Sequence, residues 1–383
     1  MDLLVHSAAG AFIGWALPQR REAPSAAPLV IAGALLPDAD IFIEPFLDPQ
    51  SGFVHRGFTH SLLGVAVLAP LAALVALLLF RAKTYGPLVA LIAIGMVSHV
   101  LLDLPTPMGA KFFYPFSNKY VHLDLLGYLD WTLFTLALFV LLATWSYAKR
   151  DTAVRRGILS AVLLSSLSWW LFSEWPTQAF SFAATVEEAT EEPLRTVYPL
   201  LLGGALLGLF VVFARNDWGF RQNRAVFGRI GIGALSIYLA LCVTAQAIVV
   251  SRTERFTRER GIVVWRRTAS RMGYSSLVGP LRWTGLVLAP EGVYVAQVNL
   301  FSTRSPTFAF WPSTTDNPFV TRSRAVPEVQ RFMEAARFPV TRYRVENGQH
   351  IVEYQDYGLS WRPLLRAVLN QSREILAVGW IDH

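Results

Sequence analysis

The chain of 383 residues is 53% hydrophobic and only 16% charged, with a net charge of +7 and a mean hydropathy of +0.40. Soluble domains carry about 25% charged residues, so this composition excludes an ordinary soluble enzyme and makes lipid part of the solvent. A single cysteine, Cys242, excludes an intramolecular disulfide and a thiolate metal cluster.

The chain opens MDLLVHSAAGAFIGWAL, with an acid at Asp2 and no basic residue before Arg20. A secretory signal would begin with a basic region, so the N-terminus is expected to be retained. Two short apolar segments come first, at 3–17 and 28–43, interrupted by prolines and acids in a way that suits helices packed against a bundle. Candidate spans follow at 60–80, 86–104, 125–146, 157–173, 196–214 and 229–250, each near the length needed to cross a hydrocarbon core of roughly 30 Å. The expectation for residues 1–250 is therefore an α-helical polytopic membrane bundle of six spanning helices plus two shorter N-terminal ones.

From Ser251 onward the long apolar runs stop and arginines become frequent. VYVAQVNL (293–300) alternates, and TRYRVENGQHIVEYQDY sets Asn347-Gly348 between two strand-like runs, a two-residue hairpin signal. Residues 251–383 are expected to form a separate, mainly β (α+β) domain with a helix near 327–337. Val293, Val295, Val298, Ile351, Val352 and Tyr354 are its expected core.

Charge follows the same division. Residues 1–250 hold 16 basic and 16 acidic residues and residues 251–383 hold 18 and 11, so the whole excess lies in the tail. That excess suits either anionic lipid headgroups or a plainly solvated surface, and no nucleic-acid partner is expected. Among the spans, Arg20 and Arg21, Arg81 and Lys83, Lys149 to Arg156 and Arg215 to Arg229 fall on one side, while the loop with Glu187, Glu188, Glu191 and Glu192 falls on the other. The positive-inside rule makes the basic side cytoplasmic and the C-terminal domain extracytoplasmic. Arg252, Arg255, Arg258 and Arg260 argue the other way, but a translocated folded domain weighs less than short loops.

Five of seven histidines, His6, His55, His60, His99 and His122, lie in the first 122 residues, with Asp38, Asp40, Asp103 and Asp124 among or just beyond them. Ionisable groups in or near hydrocarbon cost about 2.5 to 3.5 kcal/mol at mid-bilayer and persist where they are paired or functional. In SHVLLD, His99 and Asp103 are spaced i, i+4 and share a helix face. Imidazole and carboxylate without sulfur suit zinc, with manganese or iron(II) less favoured, and the supply of donors is enough for two ions. Taken singly each motif has a plainer meaning: an interfacial histidine at His6, a helix-capping turn at LLPDAD, a buried hydrogen bond for His99 and Asp103, a loop residue at His122. Jointly they form a candidate metal site.

These residues resemble the YdjM-like membrane-bound metal-dependent hydrolases, also labelled LexA-binding inner-membrane-associated hydrolases. The resemblance rests on VHSAAG, LLPDAD, HRGFTHS, SHVLLD and the segment with HLDLLGYLDW, over roughly 1–145, and extends to PLRWTGLVLAPEGVYVAQV and ARFPVTRYRVENGQHIVEYQDY in the tail. It implies a zinc-type site with a ligand order similar to that of zinc-dependent phospholipase C and nuclease P1, carried here by His6, Asp38, His60, His99 and Asp103. The second His-x-x-x-acid pair of those enzymes has no counterpart, since residue 126 is leucine.

The function this implies is hydrolysis of a phosphoester on a membrane lipid or lipid-linked substrate, at the outer face of a bacterial cytoplasmic (inner) membrane, by one or two zinc ions. Asp40 or His55 would accept a proton and Arg56 would clamp a non-bridging oxygen, while His122 reads as ligand, general acid or loop residue. The aromatic loop KFFYPFSNKY (111–120) suits the headgroup layer. A different class of protein fits the same residues, a non-catalytic membrane protein with a structural metal and a partner-binding β domain. A metal transporter fits less well, because the far halves of 60–80 and 86–104 are uniformly apolar.

Overall fold

A computed structural model describes the chain except residues 1–2, 19–25, 44–45, 47–54, 81–83, 128–129, 174–187, 272–281, 303–304, 359–363 and 382–383. Two compact units emerge. One comprises Met1–Leu123, Leu129–Leu241 and Ser275–Gly279, the other Asp124–Tyr128, Cys242–Tyr274 and Pro280–His383. The composition-based boundary at residue 250 thus falls inside a helix, and a short piece of the N-terminal half belongs with the β unit.

The helical unit is built on α1 (Leu3–Ala16), α2 (Ala26–Leu35), α3 (Leu62–Phe80), α4 (Gly86–Asp103), α5 (Trp131–Ser146), α6 (Ala153–Ser173), α7 (Glu188–Arg215), the one-turn α8 (Trp218–Arg221) and the first part of α9 (Arg224–Glu259). Small residues let α1, α2 and α4 approach closely, as is usual where helices meet in an apolar solvent. A Cβ built on Gly14 would lie 2.4 Å from Ala27 Cα, and one built on Gly95 2.2 Å from the Val30 carbonyl oxygen. Alanine is therefore excluded at both positions without separating the helices. Val65, Ala69, Ala73 and Ala76 of α3 pack on Leu88, Ile92, Met96 and Val100 of α4. The other side of α3 leaves Leu71, Leu74, Val75, Leu78 and Leu79 exposed, as a lipid-facing stripe would be.

The six-span count is not supported. Among the described residues, three helices, within Leu62–Leu79, Gly86–Asp103 and Arg224–Glu259, are long and apolar enough to cross a membrane. There are four if α5 and α6, bent by 115°, count as one span. The reason lies at the ends of the elements. Residues 121–127 are non-helical, and Asp130 caps α5 by accepting from Leu133 N at 3.1 Å. The expected span 125–146 is thereby cut to 16 residues, about 24 Å at 1.5 Å per residue. The described apolar stretch of α7, Leu200–Arg215, is also short. The family of apolar helices makes this a membrane protein.

The second unit carries two four-stranded antiparallel meanders: β1 (Arg266–Ser270), β2 (Arg282–Ala289), β3 (Gly292–Asn299) and β4 (Ala309–Pro312); then β5 (Pro339–Glu346), β6 (Gln349–Asp356), β7 (Leu364–Leu369) and β8 (Ile375–Ile381). Asn347 and Gly348 form the expected two-residue turn, with φ of 50° and 75° and Glu346 paired to Gln349; two positive φ values in succession favour this dipeptide. All six expected core residues are buried. Leu286, Val293 and Val295 of one sheet share a core with Phe338, Val340 and Tyr357. The helix expected near 327–337 is α11 (Pro327–Ala335), preceded by α10 (Pro318–Ser323), and both pack on the second sheet through Val320, Val329 and Phe332.

Candidate metal centre

Four short devices bring the polar residues of the helical unit together. After α2 the chain tightens into a 3-10 helix, Pro37–Phe42, with Asp38 and Asp40 buried on it. A second 3-10 turn, Phe58–His60, delivers Thr59 and His60. Ser61 then accepts from Gly64 N at 2.9 Å and starts α3. The last turn of α4 holds His99 and Asp103, and α1 contributes His6, whose ring stacks on that of His99 with centroids 3.8 Å apart.

Asp38, His60, His99 and Asp103 each offer one donor atom, and the four atoms lie within 4.8 Å of one another. His60 Nε2 lies 3.1 Å from His99 Nε2 and 3.3 Å from Asp38 Oδ1. His99 Nε2 is also 3.3 Å from Asp38 Oδ1. Asp103 Oδ2 is 3.4 Å from His60 Nε2 and 3.6 Å from His99 Nε2. A tetrahedral ion with bonds of about 2.0–2.1 Å sets its donors roughly 3.3 Å apart, so these edges have the right length for one.

The tautomers agree with that purpose. His99 Nδ1 donates to the Ala34 carbonyl oxygen at 2.6 Å, which leaves the Nε2 lone pair facing the other three donors. Two imidazole nitrogens 3.1 Å apart beside two buried carboxylates require a cation, either a proton or a metal. In the protein alone that cation is a proton. Burial by itself would lower the His60 imidazole, but hydrogen bonding to Asp103, Asp38 and Asp40 outweighs it and pushes the group up to about 10. Burial would raise the Asp38 carboxyl, yet His60 and His99 hold it far below the usual carboxylate range. Among the described residues, fully buried His6 has no hydrogen-bond partner within bonding geometry at either ring nitrogen, and its Nε2 lies 3.5 Å from Asp103 Oδ1. The buried group can hold a metal ion, and a buried imidazole with neither nitrogen in bonding geometry fits that better than a closed hydrogen-bond network.

Around this core lies a second ring of contacts. Asp40 accepts from His55 Nδ1 at 2.8 Å through Oδ1 and from Thr59 Oγ1 through Oδ2. Asp40, His55 and His60 form a second, less enclosed set of donors. Arg56 is only 2% exposed and sits at a φ of 65°, a left-handed conformation that is unfavourable for a non-glycine residue. Its guanidinium donates to Thr106 Oγ1 at 2.9 Å, the Gly109 carbonyl at 3.0 Å and Asp103 Oδ1 at 3.3 Å. It thus grips Asp103 through Oδ1, while Oδ2 faces His60 and His99. His122 follows the bridge between Ala110 and Val121 and sits beside Gly109, half-buried. Asp124 belongs to the other unit, where its two carboxylate oxygens take both terminal nitrogens of Arg337.

Sequence reasoning missed Thr59, Thr106 and the Ala34 carbonyl. Thr59 stood in plain view inside HRGFTHS; a backbone carbonyl carries no sequence signal.

The family model described as YdjM inner membrane protein matches residues 1–175. No curated protein and no solved structure matches the chain.

Proposed function

Starting from the match of residues 1–175 to the YdjM inner membrane protein family, we propose that this protein is a multi-pass, zinc-dependent hydrolase of the inner membrane that cleaves a phosphoester of a lipid or lipid-linked substrate. The observation that carries the reading is the convergence of two imidazole nitrogens and two carboxylate oxygens at tetrahedral edge lengths. A sulfur-free nitrogen and oxygen set suits zinc, with manganese or iron(II) next. Zinc bound there would polarise a phosphoryl oxygen and lower the pKa of a bound water toward about 7.

The chain's own residues divide the remaining work. Asp38, His60, His99 and Asp103 hold the ion, and His6, whose Nε2 lies 3.5 Å from Asp103 Oδ1, stands beside the four as a further imidazole. Arg56 fixes Asp103 through Oδ1, where its positive charge also discourages a second dication, so the proposal is for one ion. His55 donates through Nδ1 to Asp40 and is partly exposed, and in this reading it is the proton acceptor. The substrate class follows from the rim. Ile41, Phe42 and Phe46 follow Asp40 directly, and Phe113 and Phe116 lie in a loop tied to the site by Lys111 N to the Arg56 carbonyl at 3.0 Å. Phe46 and Phe116 are 86% and 88% exposed. Apolar side chains so exposed outside the α-helices, on segments joined to a polar site, suit acyl chains and headgroups.

A second reading, a structural metal without catalysis, draws on the closure of the site, because four protein donors are typical of structural zinc. Protein stripped by a chelator and reloaded with zinc separates the two. The hydrolase reading expects release of phosphate or phosphoalcohol from phospholipid or lipid-linked phosphate in mixed micelles only after reloading. A loaded protein inert toward both substrate types and toward bis(p-nitrophenyl) phosphate would leave the structural reading standing.

Orientation is part of the proposal. With α3, α4, the α5–α6 pair and α9 as spans, the basic segments 81–83 and 215–229 fall on one side, taken as cytoplasmic. The C-terminal domain then lies outside. A reporter fused after residue 383 is expected to be active only extracytoplasmically, and cytoplasmic activity would reverse the assignment.

A further inference from the structure

We propose that Thr59 is a positioning residue that sets the tautomer and ring orientation of His60. The assignment rests on the metal reading of the group around His60. His99 is held by a backbone carbonyl, but His60 Nδ1 faces side chains instead: Thr59 Oγ1 at 2.9 Å and, farther off, Asp40 Oδ2 at 3.5 Å. The Thr59 hydroxyl lies 2.5 Å from Asp40 Oδ2, and an ionised carboxylate only accepts, so the single hydroxyl proton goes to Asp40. Asp40 Oδ1 at the same time accepts from His55 Nδ1 at 2.8 Å, so that both oxygens of the carboxylate are taken by donors.

The oxygen of Thr59 therefore meets His60 Nδ1 with a lone pair, which obliges Nδ1 to carry its proton. Nε2 is then the nitrogen left for a metal ion in exchange for a proton, and it is Nε2 that faces Asp38, His99 and Asp103. The result is a hydroxyl-bridged form of the carboxylate–histidine–metal triad, in which outer partners fix ligand orientation and raise basicity. A threonine with a merely structural task usually bonds a nearby backbone carbonyl, as Thr106 does to Asp103 O at 2.7 Å and Thr144 to Val140 O at 2.7 Å. Thr59 bonds two side chains that lead to the metal group, and it is almost fully buried while doing so.

The test uses full-length protein in detergent and zinc or cobalt(II) as the probe. Thr59→Val keeps the shape and removes the hydroxyl, whereas Thr59→Ser keeps the hydroxyl. Zinc affinity by competition with a chelating dye is expected to fall about 10- to 100-fold in Thr59→Val and to return close to the parental value in Thr59→Ser. The visible absorption of the cobalt(II) form should change in the valine variant alone. If Thr59→Val does not fold, Asp40→Asn carries the test, with a smaller loss of affinity and the same direction of spectral change. Parental affinity and spectrum in whichever variant folds would overturn the assignment while leaving the metal reading intact. Failure of the parent protein to bind either metal would instead remove the reading on which the assignment rests.

Discussion

His99→Ala and Asp103→Asn proteins are expected to insert and accumulate like the parent yet to purify without stoichiometric metal, with zinc affinity lower by roughly 100-fold or more, beyond the 10- to 100-fold typical of outer-sphere changes. His99→Ala deletes a donor that the Ala34 carbonyl holds in the correct tautomer. Asp103→Asn keeps an oxygen donor but removes the charge that both offsets the ion and pairs with Arg56 at 3.3 Å. Insertion should survive, because each change makes the segment Gly86–Asp103 less costly to place in lipid. Elemental analysis of the purified proteins reads the result. Parental metal content in both variants would reduce the His99–Asp103 pair to a buried hydrogen bond.

The second large effect is expected in the β unit. Asp124 and Arg337 form a buried bidentate pair, and Thr268 Oγ1 adds a bond to Asp124 Oδ2 at 2.8 Å. Removing one partner of such a pair leaves a buried charge and costs about 3–5 kcal/mol. Asp124→Ala should therefore lower the stability of this unit by that amount, although Asp124 lies 213 residues from Arg337 in the chain. Hydrogen exchange of the β5 and β6 amides in full-length protein measures it, and unchanged protection in Asp124→Ala would show that the pair contributes nothing net. For the same reason residues 251–383 do not include everything their unit is made of.

Particular residues show what the sequence disclosed. The hairpin at Asn347-Gly348 was legible because its turn demands two left-handed residues, and the core of the sheets was legible from alternation. SHVLLD was legible because a four-residue spacing puts both side chains on one helix face. The spans at 125–146 and beyond were not, because hydropathy windows register neither the cap at Asp130 nor the 115° bend between α5 and α6. Asp124 looked like a member of the histidine-rich set, as sequence proximity cannot announce a partner in another unit. Nothing in HRGFTHS reveals that the backbone of Arg56 turns left-handed or that its guanidinium bonds Asp103.

The most direct test of the central claim is zinc K-edge X-ray absorption of the parent protein reloaded with one equivalent of zinc. The account predicts a first shell of nitrogen and oxygen at about 2.0–2.1 Å, without sulfur, and outer-shell scattering from at least two imidazoles. A hydrated six-oxygen shell without imidazole scattering would contradict it, because zinc would then be bound somewhere other than between Asp38, His60, His99 and Asp103.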